Sequence, residues 1–129
     1  MSSQLIYLTT CYRGIKDTLT GFFSFMDLFD TIFIPKDTDF IWLSFCIGGK
    51  LYSDILGDIK VEVTFIYPDH TVSSPIIVTG TVLKGDVHFV AIFPLTKFTQ
   101  LGKYKLKASL NGEELKSTNE FYFTVVKLA

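Results

Sequence analysis

At 129 residues the chain has room for one domain and one core. A formal net charge of −1 gives it no basic footprint, which excludes nucleic acid as an expected partner. No apolar run approaches the ~20 residues of a membrane-crossing helix, and the opening Met-Ser-Ser-Gln lacks the basic and apolar regions of a secretion signal. The expected setting is therefore cytoplasmic, with no membrane partner.

The apolar residues are unusual in kind. There are 13 Phe, 6 Tyr and 1 Trp, and 14 Thr, 12 Ile and 9 Val stand against only 3 Ala. Aromatic and β-branched side chains fit a pleated surface, whereas a helical chain uses more Ala, Glu and Gln.

Turn residues divide the chain into eight candidate strands. The first covers Leu5 to Tyr12 and ends at Arg13-Gly14. The second begins near Thr18, runs through Phe22, Phe23, Phe25 and Met26, and continues from Leu28 to Ile34, where Pro35 stops it. The third covers Phe40 to Ile47 and is closed by Gly48-Gly49; Lys50 to Gly57 reads as a short helical turn or a loop. The fourth, Ile59 to Tyr67, precedes the turn pair Pro68-Asp69. The fifth is Ile76 to Leu83. The sixth, Val87 to Phe93, is stopped by Pro94, after which Pro94 to Leu101 is expected to cross between sheets.

The last two strands carry the clearest pattern. Tyr104, Leu106, Ala108 and Leu110 alternate with Lys103, Lys105, Lys107 and Ser109, the period of a strand with one wet face. Asn111-Gly112 supplies a tight turn, and Phe121, Phe123 and Val125 alternate with Tyr122, Thr124 and Val126. Such spacing, without a long amphipathic helix, predicts an all-β, single-domain, two-sheet antiparallel β-sandwich of about eight strands.

Leu101-Gly102-Lys103-Tyr104 resembles the corner at which immunoglobulin-like sandwiches bury a Tyr whose hydroxyl bonds nearby backbone. Leu106, not Cys, stands two residues after Tyr104, so the antibody-type disulfide is not expected. Cys11 and Cys46 both lie in apolar, strand-like runs. Without an export signal, buried free thiols are expected, a bridge between sheets being the alternative.

A longer resemblance rests on Cys11 in the first strand, on Leu19-Thr-Gly-Phe-Phe and on Leu28-Phe29-Asp30-Thr31-Ile32-Phe33 with Pro35. It extends to the Tyr67-Pro68-Asp69 turn, Gly102-x-Tyr104 and Leu110-Asn111-Gly112. These features resemble a group of small bacterial immunoglobulin-like β-sandwich domains of uncharacterised function. The resemblance implies the sandwich and a bacterial cytoplasmic setting, and it transfers no catalytic or binding residue.

Chemical signatures are sparse. His70 follows the Pro-Asp turn and His88 sits on a strand, neither with Cys, His or Glu at ligand spacing. Asp37 and Asp39 form an Asp-x-Asp pair, and Asp54 and Asp58 flank a loop; acidic residues there serve as turn formers more often than as Ca²⁺ ligands. No nucleophile motif or phosphate-binding loop is present. No catalytic residue, metal or cofactor is assigned, and the chain is read as a non-enzyme.

The aromatic excess points elsewhere. Phe22, Phe23, Phe25, Met26, Leu28 and Phe29 crowd one segment, and Trp42 sits among Ile41, Leu43 and Phe45. Both strand faces there are apolar, so one is either covered by the chain's own loops or is an interface. The function expected is a non-catalytic protein-interaction module that homo-oligomerises or docks on a larger assembly through this patch. A structural subunit of a phage or filament-like particle, and a small-ligand or carbohydrate-binding sandwich using Trp42 for stacking, are the alternatives.

Overall fold

The computed structural model describes residues 3–16, 23–82 and 85–129, with backbone alone at Ile15, Lys16, Phe23 and Val82. Among the described residues there are ten strands and no helix, hence no helix long and apolar enough to cross a membrane. In chain order they are β1 (Gln4–Lys16), β2 (Phe23–Phe29), β3 (Thr31–Ile34), β4 (Ile41–Ser53) and β5 (Gly57–Ile66). Then come β6 (Ile76–Val82), β7 (Gly85–Phe98), β8 (Gly102–Leu110), β9 (Glu113–Glu114) and β10 (Tyr122–Lys127).

Two sheets form: β2-β1-β4-β7, and β3-β10-β8-β5-β6 with the short β9 also on β8. All pairings are antiparallel except β3 with β10, which is parallel. The architecture is an all-β, two-sheet sandwich, as the spacing of turns predicts. Two strands exceed the expected eight because the second run splits and β9 is added. The split falls at Asp30, where the chain leaves one sheet at Phe29 and enters the other at Thr31. The Thr124 N–H donates to the Asp30 carbonyl at 2.8 Å and pins this switch.

Alternation in β8 is realised as expected: Tyr104, Leu106, Ala108 and Leu110 are buried, and Lys103, Lys105 and Lys107 are exposed. Asn111 (φ 49°) and Gly112 (φ 89°) take the positive-φ turn, but that turn closes on β9. The chain then makes a detour before β10 returns to pair with the first half of β8, Tyr122 beside Lys105.

Three strand ends predicted at glycine or proline are passed. β1 continues through Gly14, and β4 continues through Gly48-Gly49 to Ser53, so the expected loop at 50–53 is strand. At Gly49 a Cβ would fall 2.6 Å from the Phe89 ring and 2.8 Å from the Tyr7 carbonyl. The glycine marks close packing rather than a turn. β7 passes Pro94 because it is an edge strand, and the register with β4 slips between Leu43 and Phe45 opposite it. An edge and a bulge are where a missing N–H is tolerated. The crossing between sheets occurs later, over residues 99–101.

Much of the aromatic excess is spent on the core. Phe45 stacks on Phe93 at 5.1 Å between centroids and meets Phe65, Phe98 and Phe123 at 5.7–6.0 Å. Tyr104 stacks on Phe123 at 4.8 Å. These rings fill the gap between two sheets that pack about 10 Å apart.

Tyr104 forms the expected corner. It is fully buried, and its hydroxyl donates to the Gln100 carbonyl at 2.8 Å. Burial pushes this phenol up to about 12. The Gln100 side chain in turn bonds both the Asp69 carboxylate (3.0 Å) and the Asp69 N–H (3.1 Å), tying the corner to the 68–70 turn. Tyr104→Phe would leave the Gln100 carbonyl without its partner and is expected to cost about 1–2 kcal/mol in urea unfolding; an unchanged midpoint would show that the corner contributes nothing.

Candidate functional site

Ile41, Leu43, Phe45 and Ile47 pack inward from β4. Strand alternation therefore turns Trp42, Ser44, Cys46 and Gly48 to the outer face of the four-stranded sheet. The register carries this face across all four strands: Leu28 lies beside Cys11, Cys11 beside Cys46, and Cys46 beside Ile92. Trp42 lies beside Lys97.

One half of this face is roofed by the chain itself. Between the pairs Cys11–Leu28 and Arg13–Met26 the ladder is interrupted at Asp27, which has a positive φ of 58°. Beyond it, the end of the β1–β2 pair lies over the sheet. A Cβ at Gly48 would fall 2.4 Å from the Phe25 ring, and one at Gly14 would fall 2.1 Å from a Val90 methyl. Phe25 also meets Tyr7 edge-on at 6.4 Å.

Cys11 and Cys46 lie beneath this roof, buried and unbridged. The Cys46 thiol points to the Tyr12 carbonyl at 3.8 Å. Burial pushes the Cys11 thiol up to about 11, and the neighbouring Cys46 adds to the effect. A thiol held in that range supplies almost no thiolate at neutral pH and is a poor nucleophile.

The other half is open. Leu28 is 61% exposed, Trp42 52%, Ile92 67% and Leu95 59%. Leu95 belongs to this side because its neighbour Thr96 pairs with the inward Leu43. The Lys97 ammonium lies 4.6 Å above the Phe40 ring and 5.9 Å from that of Trp42, capping one end of the patch.

The expected interface residues are thus divided. Phe22 lies outside the described residues, and Phe23 is described only as backbone at the start of β2. Phe25 is half-buried in the roof. Phe29 turns inward, 4.8 Å from the Tyr12 ring and 6.4 Å from Phe45. Met26 and Trp42 are exposed. Leu28, part of the crowded segment, is exposed as well, and Ile92 and Leu95 join Trp42 without having been singled out from the sequence. Ile92 had a readable signal, since it sits between Ala91 and Phe93, both fully or almost fully buried.

The titratable candidates are dispersed. His70 occupies the exposed 68–70 turn with a positive φ of 71°, and His88 is exposed on β7 beside Lys50. Asp39 accepts a hydrogen bond from Lys127 at 2.9 Å, which holds its carboxyl below the usual range. Asp58 accepts one from Thr81 at 2.8 Å. Among the described residues no group of three or more His, Cys, Asp or Glu could hold a metal ion. Two surface hollows, one beside Leu5 and Leu115 and one beside Thr10 and Phe29, both lie away from Trp42.

No protein-family model and no curated protein matches the chain. Among solved structures it is similar to a CARDB domain from Pyrococcus furiosus that was crystallised in complex with di-metal ions. The two are 17% identical with a TM-score of 0.42, covering 98% of this chain and 93% of that one.

Proposed function

We propose that the chain is a non-catalytic protein-interaction module that self-associates through the open half of the outer face. The observation that supports this is the set of exposed apolar side chains Trp42, Ile92 and Leu95 on the outer face of β4 and β7, with Leu28 exposed on β2 across the buried cysteines. Contiguous exposed apolar surface of more than a few hundred Å² marks contact sites, and Trp is favoured at their centres. The proposed setting is a bacterial cytoplasm, where a reducing pool keeps thiols such as Cys11 and Cys46 unbridged. Proteins are the partners proposed, with no nucleic acid and no membrane.

Light scattering on a sizing column tests this reading. At about 100 µM the chain is expected to elute above monomer mass, and Ile92→Asp should weaken association roughly tenfold or more. Ile92 is too exposed for the change to unfold the chain, so circular dichroism should be unaltered. A wild-type monomer at that concentration, or an Ile92→Asp chain that associates equally well, would overturn the reading.

A further inference from the structure

We infer that β6 is a second, separate contact surface, at which two copies of this chain pair edge to edge and continue the larger sheet through both. β6 ends that sheet. All seven of its residues pair with β5, Ile76 with Val63 through to Val82 with Gly57, and among the described residues no strand is hydrogen-bonded on its other side, although β7 of the other sheet comes near it. In an antiparallel ladder every second residue turns both its N–H and its C=O away from the neighbour. The free edge of β6 therefore presents a row of main-chain donors and acceptors that another strand can satisfy.

The other edges carry features that hinder such pairing. β2 contains Asp27 at positive φ. β3 has four residues and is followed directly by Pro35. β7 is interrupted by Pro94 and carries Lys97. β6, although Pro75 directly precedes it, carries no such feature within the strand. Ile76-Ile-Val-Thr-Gly-Thr-Val82 holds no charge and no proline, and all but one of its residues are β-branched. That composition favours strand pairing.

The occupant is a second copy because the strand is self-complementary. A twofold contact brings each surface onto itself, so any charge would meet its own kind. β6 offers no charge to meet. Centred on its middle residue, seven residues pair antiparallel with seven, and Thr79 stands opposite the same residue of the second copy. On the outer side Ile77 is 51% exposed. Its neighbours there, Thr79 and Thr81, are also exposed. This side would zip against its own image. The charged residues next in line, Asp58, Lys60 and Glu62 on β5, are already engaged by Thr81 or by each other.

The test separates this edge from the apolar face. With the face disabled by Ile92→Asp, the chain is expected to remain dimeric at about 100 µM. Adding Thr79→Lys places two lysines opposite each other at the twofold centre and should raise the dissociation constant about tenfold or more, giving a monomer. Amide exchange along 76–82 should slow with concentration in Ile92→Asp and not in the double variant. Thr79 is exposed, so both variants should keep the wild-type circular dichroism. A monomeric Ile92→Asp chain, or a dimer that survives Thr79→Lys, overturns the edge contact. Failure of the face contact reads differently: the Thr79→Lys chain, with its face intact, would then be monomeric.

Discussion

Phe45→Ala is expected to destabilise the chain by about 3–5 kcal/mol, a large part of the total stability of a domain this size. Phe45 is 1% exposed and has ring neighbours in both sheets: Phe29 and Phe93 from its own layer, Phe65 and Phe123 from the facing one. Removing the ring forfeits its transfer from water and leaves a cavity that large, interlocked aromatics cannot collapse to fill. Aromatic pairing adds about 0.5–1.5 kcal/mol per contact beyond buried area. Urea unfolding followed by circular dichroism measures the change. A loss under about 1 kcal/mol would mean that the layers close over the gap and that the rings are not interlocked.

Gly48→Val is expected to lift the roof rather than unfold the sandwich. The new side chain would occupy the space of the Phe25 ring, whose carbons lie 2.4–2.7 Å from the position of a Cβ. Phe25 is a half-buried side chain near the free edge formed by β2, so it can swing outward, at a cost of about 1–3 kcal/mol. The consequence is chemical. Cys11 and Cys46, sealed in the native chain, become accessible, and the medium that holds the Cys11 thiol near 11 is replaced by water. Labelling by a disulfide reagent at pH 8 should accelerate by about tenfold or more, because it follows the population of the open form. Unchanged labelling with unchanged stability would show that the roof does not rest on Gly48.

These two expectations mark what the order of residues reveals and what it withholds. The lysine alternation of β8 and the Leu101-Gly102-Lys103-Tyr104 corner are local, and both are realised. Gly14, Gly48 and Pro94 looked like strand ends because glycine and proline usually interrupt a ladder. Their actual causes are distant: a Val90 methyl over Gly14, a Phe25 ring over Gly48, and an edge position for Pro94. No window of the sequence contains both partners. The fates of Phe25 and Phe29 were hidden for the same reason. Simple alternation puts them on one side, and the positive φ of Asp27 sends them to opposite sides of the sheet. The exposed set Leu28, Trp42, Ile92 and Leu95, drawn from β2, β4 and β7, is likewise placed on one face by register, which pattern alone does not supply.

The switch at Asp30 also sets a timetable. β3 enters the larger sheet about ninety positions before the strand it must lie against, for Thr31 pairs with Thr124 and Ile34 with Lys127. β10 sits between β3 and β8, so that layer has a gap in its middle until residues 122–127 arrive. A nascent chain can zip β1 to β4 or β5 to β8 as they emerge, but it cannot seal its interior before β10 follows. Contacts of such long sequence separation make closure slow. The aromatic rings destined for the core therefore stay open to water, and to chaperones, until residues 122–127 have been made.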